Sequence, residues 1–224
     1  VLALERHATS KIRRLEDLAA IATLGFRGEA LPSIASVSHF LLRTRVCGAS
    51  RGFEIRVSGG STVSTREVGA PEGTTIEVTD LFYNVPARRK FLKSDGAETT
   101  QISRLVTQLA LAHAGVGFTL ASGSRRLLQC PPAGGLADRL FQLYKGRDDL
   151  VEVQKEAAGI RVSGFVAALA GAGEGPRRGP QNIYVNGRVV KDRTISHAVA
   201  HAYSAATIKE RSPEVHLFLE VSPD

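Results

Sequence analysis

The chain has 224 residues, 43% of them hydrophobic and 23% charged, with a formal charge of +7 and neither methionine nor tryptophan. This composition excludes disordered and collagen-like classes. There is no apolar run of about 18 residues to cross a bilayer as a helix and no basic and apolar leader, so a soluble, intracellular protein with a real core is expected. Cys47 and Cys130 are too few and too far apart for a disulfide framework or a metal cluster, and buried free thiols are expected. The basic residues are 22 Arg and 7 Lys. Arg is the better fork for phosphate oxygens, yet a general bias toward Arg, Ala and Gly gives the same count, and both readings stand. The start at Val1-Leu2-Ala3-Leu4, inside an apolar run and without Met, points to a piece of a longer protein.

In chain order, Leu15, Leu18, Ala19 and Ala22 fall at helical spacing over Arg14–Ala22, with Gly25 as a stop. A second helix is expected over Glu29–Val37. The period then changes to two. Phe40, Leu42, Thr44 and Val46 alternate, as do Phe53, Ile55 and Val57, then Ile76 and Val78, which predicts an antiparallel sheet. Residues 98–113 return to helical spacing, and 117–120 with 126–130 flank a hairpin turn at Ser122-Gly123-Ser124. Pro131-Pro132-Ala133-Gly134-Gly135 is the expected boundary, because consecutive prolines cannot continue a central strand. Beyond it a short helix from Leu136 to about Gly146 precedes strands near 151–156 and 160–168. Ala170–Pro180, rich in Gly, Pro and Arg, is expected to be a mobile loop. Asn186-Gly187 between apolar runs signals a type I′ hairpin within Asn182–Val190. Asp192 is placed to cap a helix running to about Ile208, and Val215–Val221 alternates as a closing strand. The fold class is α+β, with domains at 1–130 and 136–224.

Several patterns fail on context. Gly171-Ala172-Gly173-Glu174-Gly175 is followed at once by Pro176 and opens no capped helix, so it reads as a flexible loop. No Gly-Lys pair exists for a Walker A loop. His197 and His201 have metal-ligand spacing on a helix but lack a third ligand, and His7, His39, His113 and His216 read as isolated. Three segments remain. Leu24-Gly25-Phe26-Arg27-Gly28-Glu29-Ala30-Leu31 sets two glycines just before a helix, where bare backbone N–H groups suit a phosphate, although a plain turn fits the same residues. Arg6-His7-Ala8-Thr9-Ser10-Lys11 collects cations and hydroxyls suited to a loop closing over an anion, or to a solvated helix end. Gly73-Thr74-Thr75-Ile76-Glu77-Val78 is followed by Asp80-Leu81-Phe82-Tyr83-Asn84-Val85-Pro86-Ala87-Arg88-Arg89-Lys90-Phe91, whose three cations suit phosphates or a surface helix equally.

In order and spacing, these strings resemble the MutL mismatch-repair family of the GHKL ATPase superfamily. Tyr184-Val185-Asn186-Gly187-Arg188 with Lys191-Asp192-Arg193 resembles the family's following domain. The resemblance implies a partial GHKL-type α/β sandwich over 1–130 and a partial, smaller ribosomal-protein-like βαβ transducer domain over 136–224. It implies a lid of Thr9, Ser10 and Lys11, a triphosphate cradle of Gly25, Arg27, Gly28, Glu29, Ala30 and Leu31, and Thr74 beside the adenine. Arg188, Lys191 and Arg193 are implied to bind DNA without sequence specificity.

For the intact protein the same resemblance implies ATP and Mg2+ as cofactors and a homodimer in the ATP state. It implies a mismatch-recognition partner, MutS, and a downstream endonuclease or helicase, with no membrane association and a cytoplasmic, nucleoid-associated place in a bacterium. The family's catalytic Glu, its Mg2+-binding Asn, its Asp-x-Gly-x-Gly motif and its γ-phosphate Lys cannot be placed in this sequence. The expectation is therefore no catalytic residue and no metal ligand here, and a piece that does not hydrolyse ATP alone. The rival expectation is a basic DNA-binding scaffold with a degenerate ATP site. A gyrase-like relative is disfavoured by the string from Phe82 to Arg88.

Overall fold

The computed structural model describes residues 2–12, 14, 17, 23–168, 179–206 and 213–222. Apart from Arg14 and Asp17, the helix expected over 14–22 lies outside the described residues. So do most of the loop expected over 170–180 and the last helix beyond Ala206. The chain forms two compact units, Val1–Ser94 and Asp95–Asp224.

The first unit opens with a 3-10 turn at Leu2–Leu4. It continues through α1 (Ala30–Ala35), β1 (His39–Arg45), β2 (Gly52–Ser58), β3 (Ser61–Val68), β4 (Gly73–Thr79) and α2 (Pro86–Arg89). The strands form one antiparallel sheet in the order β3-β2-β1-β4. Alternation fixes which face is buried: Phe40 stands between Val57 and Val78, and Leu42 between Ile55 and Ile76. Phe40, Ile55 and Val57 close against Ala35 of α1, joined by Leu4, Leu31 and Leu42. β3 carries Ser, Thr and Arg at most positions and gives no apolar period, so the sequence pattern did not single it out. It forms because Gly59 and Gly60, both at positive φ, return the chain onto β2.

The opposite face of this sheet is polar. Glu54 is almost wholly buried and receives Arg43 Nε at 2.9 Å, Arg56 Nε at 3.0 Å and Arg66 Nε at 3.0 Å. These guanidinium groups hold its carboxyl at about 2, led by Arg43 and then Arg56. Past β4, Phe82 adopts a φ of 64° and donates its backbone N–H to the Val37 carbonyl at 2.7 Å. Asn84 Nδ2 donates to the Ser36 carbonyl at 3.0 Å, and the Tyr83 ring stacks on His39 at 4.3 Å. These contacts clamp the 82–84 turn to the start of β1, and Pro86 then opens α2, where its missing N–H costs nothing.

The second unit runs through α3 (Asp95–Ala112), β5 (Phe118–Ser122), β6 (Arg125–Cys130), α4 (Leu136–Tyr144), β7 (Leu150–Ala157) and β8 (Ile160–Ala167). It ends with β9 (Gln181–Val185), β10 (Arg188–Val190), α5 (Arg193–Ala206) and β11 (Val215–Val221). β5 and β6 pair as the expected hairpin, and the other strands form a sheet ordered β10-β9-β11-β8-β7. β9 and β11 pair in parallel, so α5 lies in the crossover between them. Ile183, Val215 and Leu217 pack with Tyr203 of α5. Tyr184 and Phe218, on the other face, pack with Leu111 of α3 and Leu140 of α4. Asn186 and Gly187 both have positive φ, as the expected hairpin turn requires, and Asp192 Oδ1 accepts the Ile195 N–H at 3.0 Å as the expected helix cap. Gly164 in β8 has a φ of 135°, and a Cβ there would lie 2.0 Å from the His216 carbonyl oxygen, so only glycine lets β8 approach β11.

Two expectations need correction, those for Cys47 and His216. Cys130 is buried, but Cys47 is exposed, because β1 ends at Arg45 and the thiol sits in the turn beyond it. The compact units divide at Ser94, upstream of Pro131–Gly135. Ala133 donates to the Ala114 carbonyl at 2.8 Å, and fully buried Arg139 donates to the Ala114 and Val116 carbonyls at 2.6 Å each, which ties this stretch to the end of α3. His216 is not isolated. It is fully buried, with Nε2 at 3.0 Å from Glu214 Oε1 and Nδ1 at 3.1 Å from the Asn182 side-chain amide. Asn182 in turn accepts from Gln108 of α3 at 3.2 Å, and Arg147 holds Glu214 at 2.9 Å and Asp149 at 2.7 Å.

Burial pushes the His216 imidazole below its ordinary value, against the opposing pull of Glu214. An unfolded chain takes up a proton at this position near pH 6.5 while the folded one resists it, so stability is full above that pH and falls as the pH drops below it. Denaturant midpoints of the second unit are expected to fall between pH 7 and pH 5, and His216→Gln to flatten that fall. A pH dependence unchanged by the substitution would contradict this account.

Candidate functional site

The first unit contains a cavity of about 1010 Å³, lined by Leu2, Ala3 and residues 7–11 on one side and by residues 24–32 on the other. Its two walls are held together by backbone. Gly28 has a φ of 66°, and a Cβ there would lie 2.3 Å from the Ala8 carbonyl oxygen, so the glycine is what lets the two segments touch. His7 has a φ of 63° and sets Nδ1 at 3.2 Å from Glu29 Oε1. Both side chains are substantially exposed, so this pair orients the rim and adds little stability.

On the first wall the Lys11 backbone N–H donates to Thr9 Oγ1 at 3.2 Å and Lys11 Nζ donates to Ser10 Oγ at 3.3 Å. Two hydroxyls and an ammonium are thus gathered at one place. On the second wall Thr23 Oγ1 donates to the Gly25 carbonyl at 3.0 Å, and a Cβ at Gly25 would meet nothing within 4 Å. The Arg27 guanidinium lies 5.5 Å over the Phe26 ring, within cation–π range. α1 starts at Ala30 with no side-chain cap from Glu29, and Ser33 N–H already reaches the Glu29 carbonyl at 3.0 Å. The first N–H groups of that helix lie before its hydrogen-bond ladder begins, as helix starts require. This chemistry suits an anion: one ammonium, hydroxyl donors, unobstructed glycine backbone and an uncapped helix start.

Nine of the sequence-selected residues therefore line one cavity: Thr9, Ser10, Lys11, Gly25, Arg27, Gly28, Glu29, Ala30 and Leu31. Thr74 does not line it. It stands on β4, where its hydroxyl is 2.8 Å from Thr44 Oγ1. Of the apolar lining, Leu24 and Phe26 stand inside the string chosen for its glycines, while Leu2, Ala3 and Pro32 were not assigned to a site by the sequence reading, which searched for polar chemistry. The pairing of His7 with Glu29 escaped it because the two are joined only through the fold. Glu29 is the single carboxylate among the described residues that line the cavity. No group of three His, Cys, Asp or Glu side chains is gathered among the described residues.

In the second unit Arg188 opens β10 and is half-buried, while Lys191 and Arg193 are exposed. Arg193 is the first residue of α5. A cation there opposes the helix dipole at a cost of about 0.3–1 kcal/mol, so helix stability does not explain it. His197 and His201 stack at 6.5 Å, with no third ligand grouped beside them among the described residues. No described helix is long and apolar enough to cross a membrane.

Residues 144–224 match the family described as DNA mismatch repair protein, C-terminal domain. The DNA mismatch repair protein MutL of Opitutus terrae is 44% identical over 226 residues, which cover 100% of this chain and 36% of that protein. That of Anaeromyxobacter sp. strain K is 45% identical over 224 residues, with 99% of this chain and 36% of that protein covered. The chain thus spans 36% of the length of these curated relatives. Among solved structures, the Aquifex aeolicus MutL ATPase domain complexed with ADP superposes with a TM-score of 0.72 at 31% identity, over 95% of this chain and 77% of that one. Strands, helices and sequence agree along nearly the whole length, and the chain belongs to the MutL family of DNA mismatch repair proteins, with the mixed α/β fold of its GHKL-type ATPase domain.

Proposed function

We propose that this chain is the nucleotide-holding and DNA-contacting part of a mismatch-repair matchmaker, in which ATP binding drives homodimerisation. Closure of the dimer then couples a mismatch-recognition partner, MutS, to a downstream endonuclease or helicase. The observation that carries this reading is the meeting of residues 7–11 with residues 24–31 around one cavity, pinned at Gly28. Thr9, Ser10 and Lys11 close over the phosphates, and residues 25–31 wrap them through backbone N–H groups. The ADP complex of the Aquifex aeolicus relative supports a nucleotide as the occupant. Thr74, outside this cavity, is assigned to the adenine end. Functionally, residues 1–130 form the nucleotide-binding domain and 136–224 the transducer, and the protein works in the cytoplasm on the nucleoid.

These residues hold phosphates; they do not activate water. The one carboxylate among the described lining residues, Glu29, is engaged by His7, and a general base must be within hydrogen-bond reach of the attacking water. Mg2+ belongs to the intact protein's reaction, and no step is assigned to it with these side chains. Arg188, Lys191 and Arg193 contact the DNA backbone without reading bases.

Three measurements test this reading. In equilibrium dialysis the chain is expected to bind labelled ATP saturably, and Gly28→Ala to weaken binding about tenfold, because a left-handed φ alone costs an alanine about 1–2 kcal/mol. No saturable binding would overturn the assignment. Phosphate release by the chain alone is expected to match the buffer blank, and a clear ATPase rate would show that these residues do supply a base. Arg193→Glu is expected to weaken duplex DNA binding and to flatten its dependence on log salt by about one unit. An unchanged slope would remove Arg193 from the interface.

A further inference from the structure

The outer face of the first unit's sheet carries a charged array that the nucleotide cavity does not use. The strand register aligns Arg43 on β1, Glu54 on β2 and Arg66 on β3 in one row, and Arg56 stands two residues along β2 on the same face. Glu54 takes the Nε side of all three guanidinium groups, with Nη2 of Arg43 at 2.7 Å and Nη2 of Arg66 at 2.8 Å as additional contacts. A guanidinium has five donors in a rigid fork. Among the described residues the Nη1 end of each of the three takes no other partner, and their side chains are 32%, 48% and 59% exposed against 1% for Glu54.

We propose that this face is a second polyanion site, in which Glu54 acts as a positioning residue that presents Arg43, Arg56 and Arg66 to the phosphodiester backbone of duplex DNA. It is separate from the residues assigned to DNA in the second unit and does not depend on them.

Four observations support it. Charge is in excess: one carboxylate neutralises one guanidinium, and two positive charges remain within a patch three strands wide, about 10 Å across. A structural ion pair needs a single bidentate arginine, and gathering three like charges works against itself unless an anion is received. The geometry is persistent, since a carboxylate held near 2 stays ionised at every pH the protein meets and fixes the arginines without paying their ordering entropy at binding. Hydroxyls accompany the cations: Ser64 stands opposite Arg56 and Thr75 opposite Arg43, the side-chain types that join arginine on phosphates. On this face of β1–β4, Glu77 is the other carboxylate, two strands from Arg56, and Arg45 is turned to Glu72 and the Ala49 carbonyl. Base stacking is not offered, because the rings of His39 and Tyr83 are stacked on each other, which favours a duplex over a single strand.

The test is a titration of the chain with a random-sequence duplex of about 40 base pairs at several KCl concentrations. Arg56→Ala with Arg66→Ala, both well exposed, is expected to leave the melting curve in place, weaken binding at least tenfold at low salt, and reduce the log-affinity against log-salt slope by about two. Glu54→Gln adds a positive charge yet is expected to bind no tighter, because the forks are released; tighter binding would reduce the site to diffuse charge and overturn the positioning role. An unchanged affinity and slope in the double alanine variant overturns the site, whatever Arg193→Glu does. So does a loss of binding to phosphatidylserine vesicles while duplex binding stays the same.

Discussion

The first unit's cavity depends on one backbone contact, that of Gly28 with Ala8. A side chain at residue 28 would lie inside the Ala8 carbonyl, so the contact exists only because the residue is glycine and φ there is positive. With it, the hydroxyl and ammonium groups of residues 9–11 face the glycine turn at 25–28. Without it these would be two loops with no common site. The contact also positions the next element, because Glu29 and α1 begin directly after it, and Ala35 at the end of α1 packs on Phe40 of the sheet. The cavity is therefore tied to the hydrophobic core through the six residues of α1.

Buried charge is handled differently in the two units. In the second, Arg139 is completely buried and donates Nη2 to neutral carbonyls just beyond α3, while His216 and Glu214 share a chain of hydrogen bonds that runs to Gln108 of α3 and to Arg147. Every member of that chain ties a helix or loop to the sheet, so its effect is internal. In the first unit Glu54 is oversupplied with cations, and the surplus points outward. Removing one partner from the second network, or Glu54 from the first, would strand charge and cost more than the intact pair gains, whereas with Arg56 and Arg66 removed Glu54 still keeps both contacts of Arg43. Both networks are thus expected to persist under conditions that loosen ordinary surface pairs, but only the first leaves charge available to another molecule.

The alternation of Phe40 with Leu42 and of Ile55 with Val57, the turn at Asn186-Gly187 and the cap at Asp192 are local signals, and the elements they announce are present. β3 was illegible because a strand paired on one edge and exposed on both faces has no need of an apolar period. Cys47 was misread because burial was inferred from neighbouring residues, while two residues beyond a strand end are enough to reach solvent. His216 was read as isolated although Glu214 stands two positions away, because that neighbour gives no sign of pairing until Asn182, 34 positions distant, and Arg147 are brought to the same cluster by the fold. The cavity sits between these cases. Its residues could be chosen from glycine spacing and hydroxyl content, but a plain turn explained them as well until the resemblance linked the two segments, since the pairing of Gly28 with Ala8 spans twenty positions and leaves no local trace.

Features that oppose local stability are the most informative about what the chain meets. Arg193 at the start of α5 stands against the helix dipole, three arginines crowd one carboxylate on the sheet, and an uncapped helix start faces the cavity. Each costs the isolated fold a fraction of a kcal/mol to a few kcal/mol. An anion would relieve each one: at the helix start by accepting its N–H groups, and at the two arginine sites by neutralising excess charge. These three features lie on a chain of net charge +7, where a bound anion offsets like-charge repulsion. A ligand that binds only the folded state stabilises it in proportion to occupancy, so an anion held at any of these places would raise the stability of the folded chain.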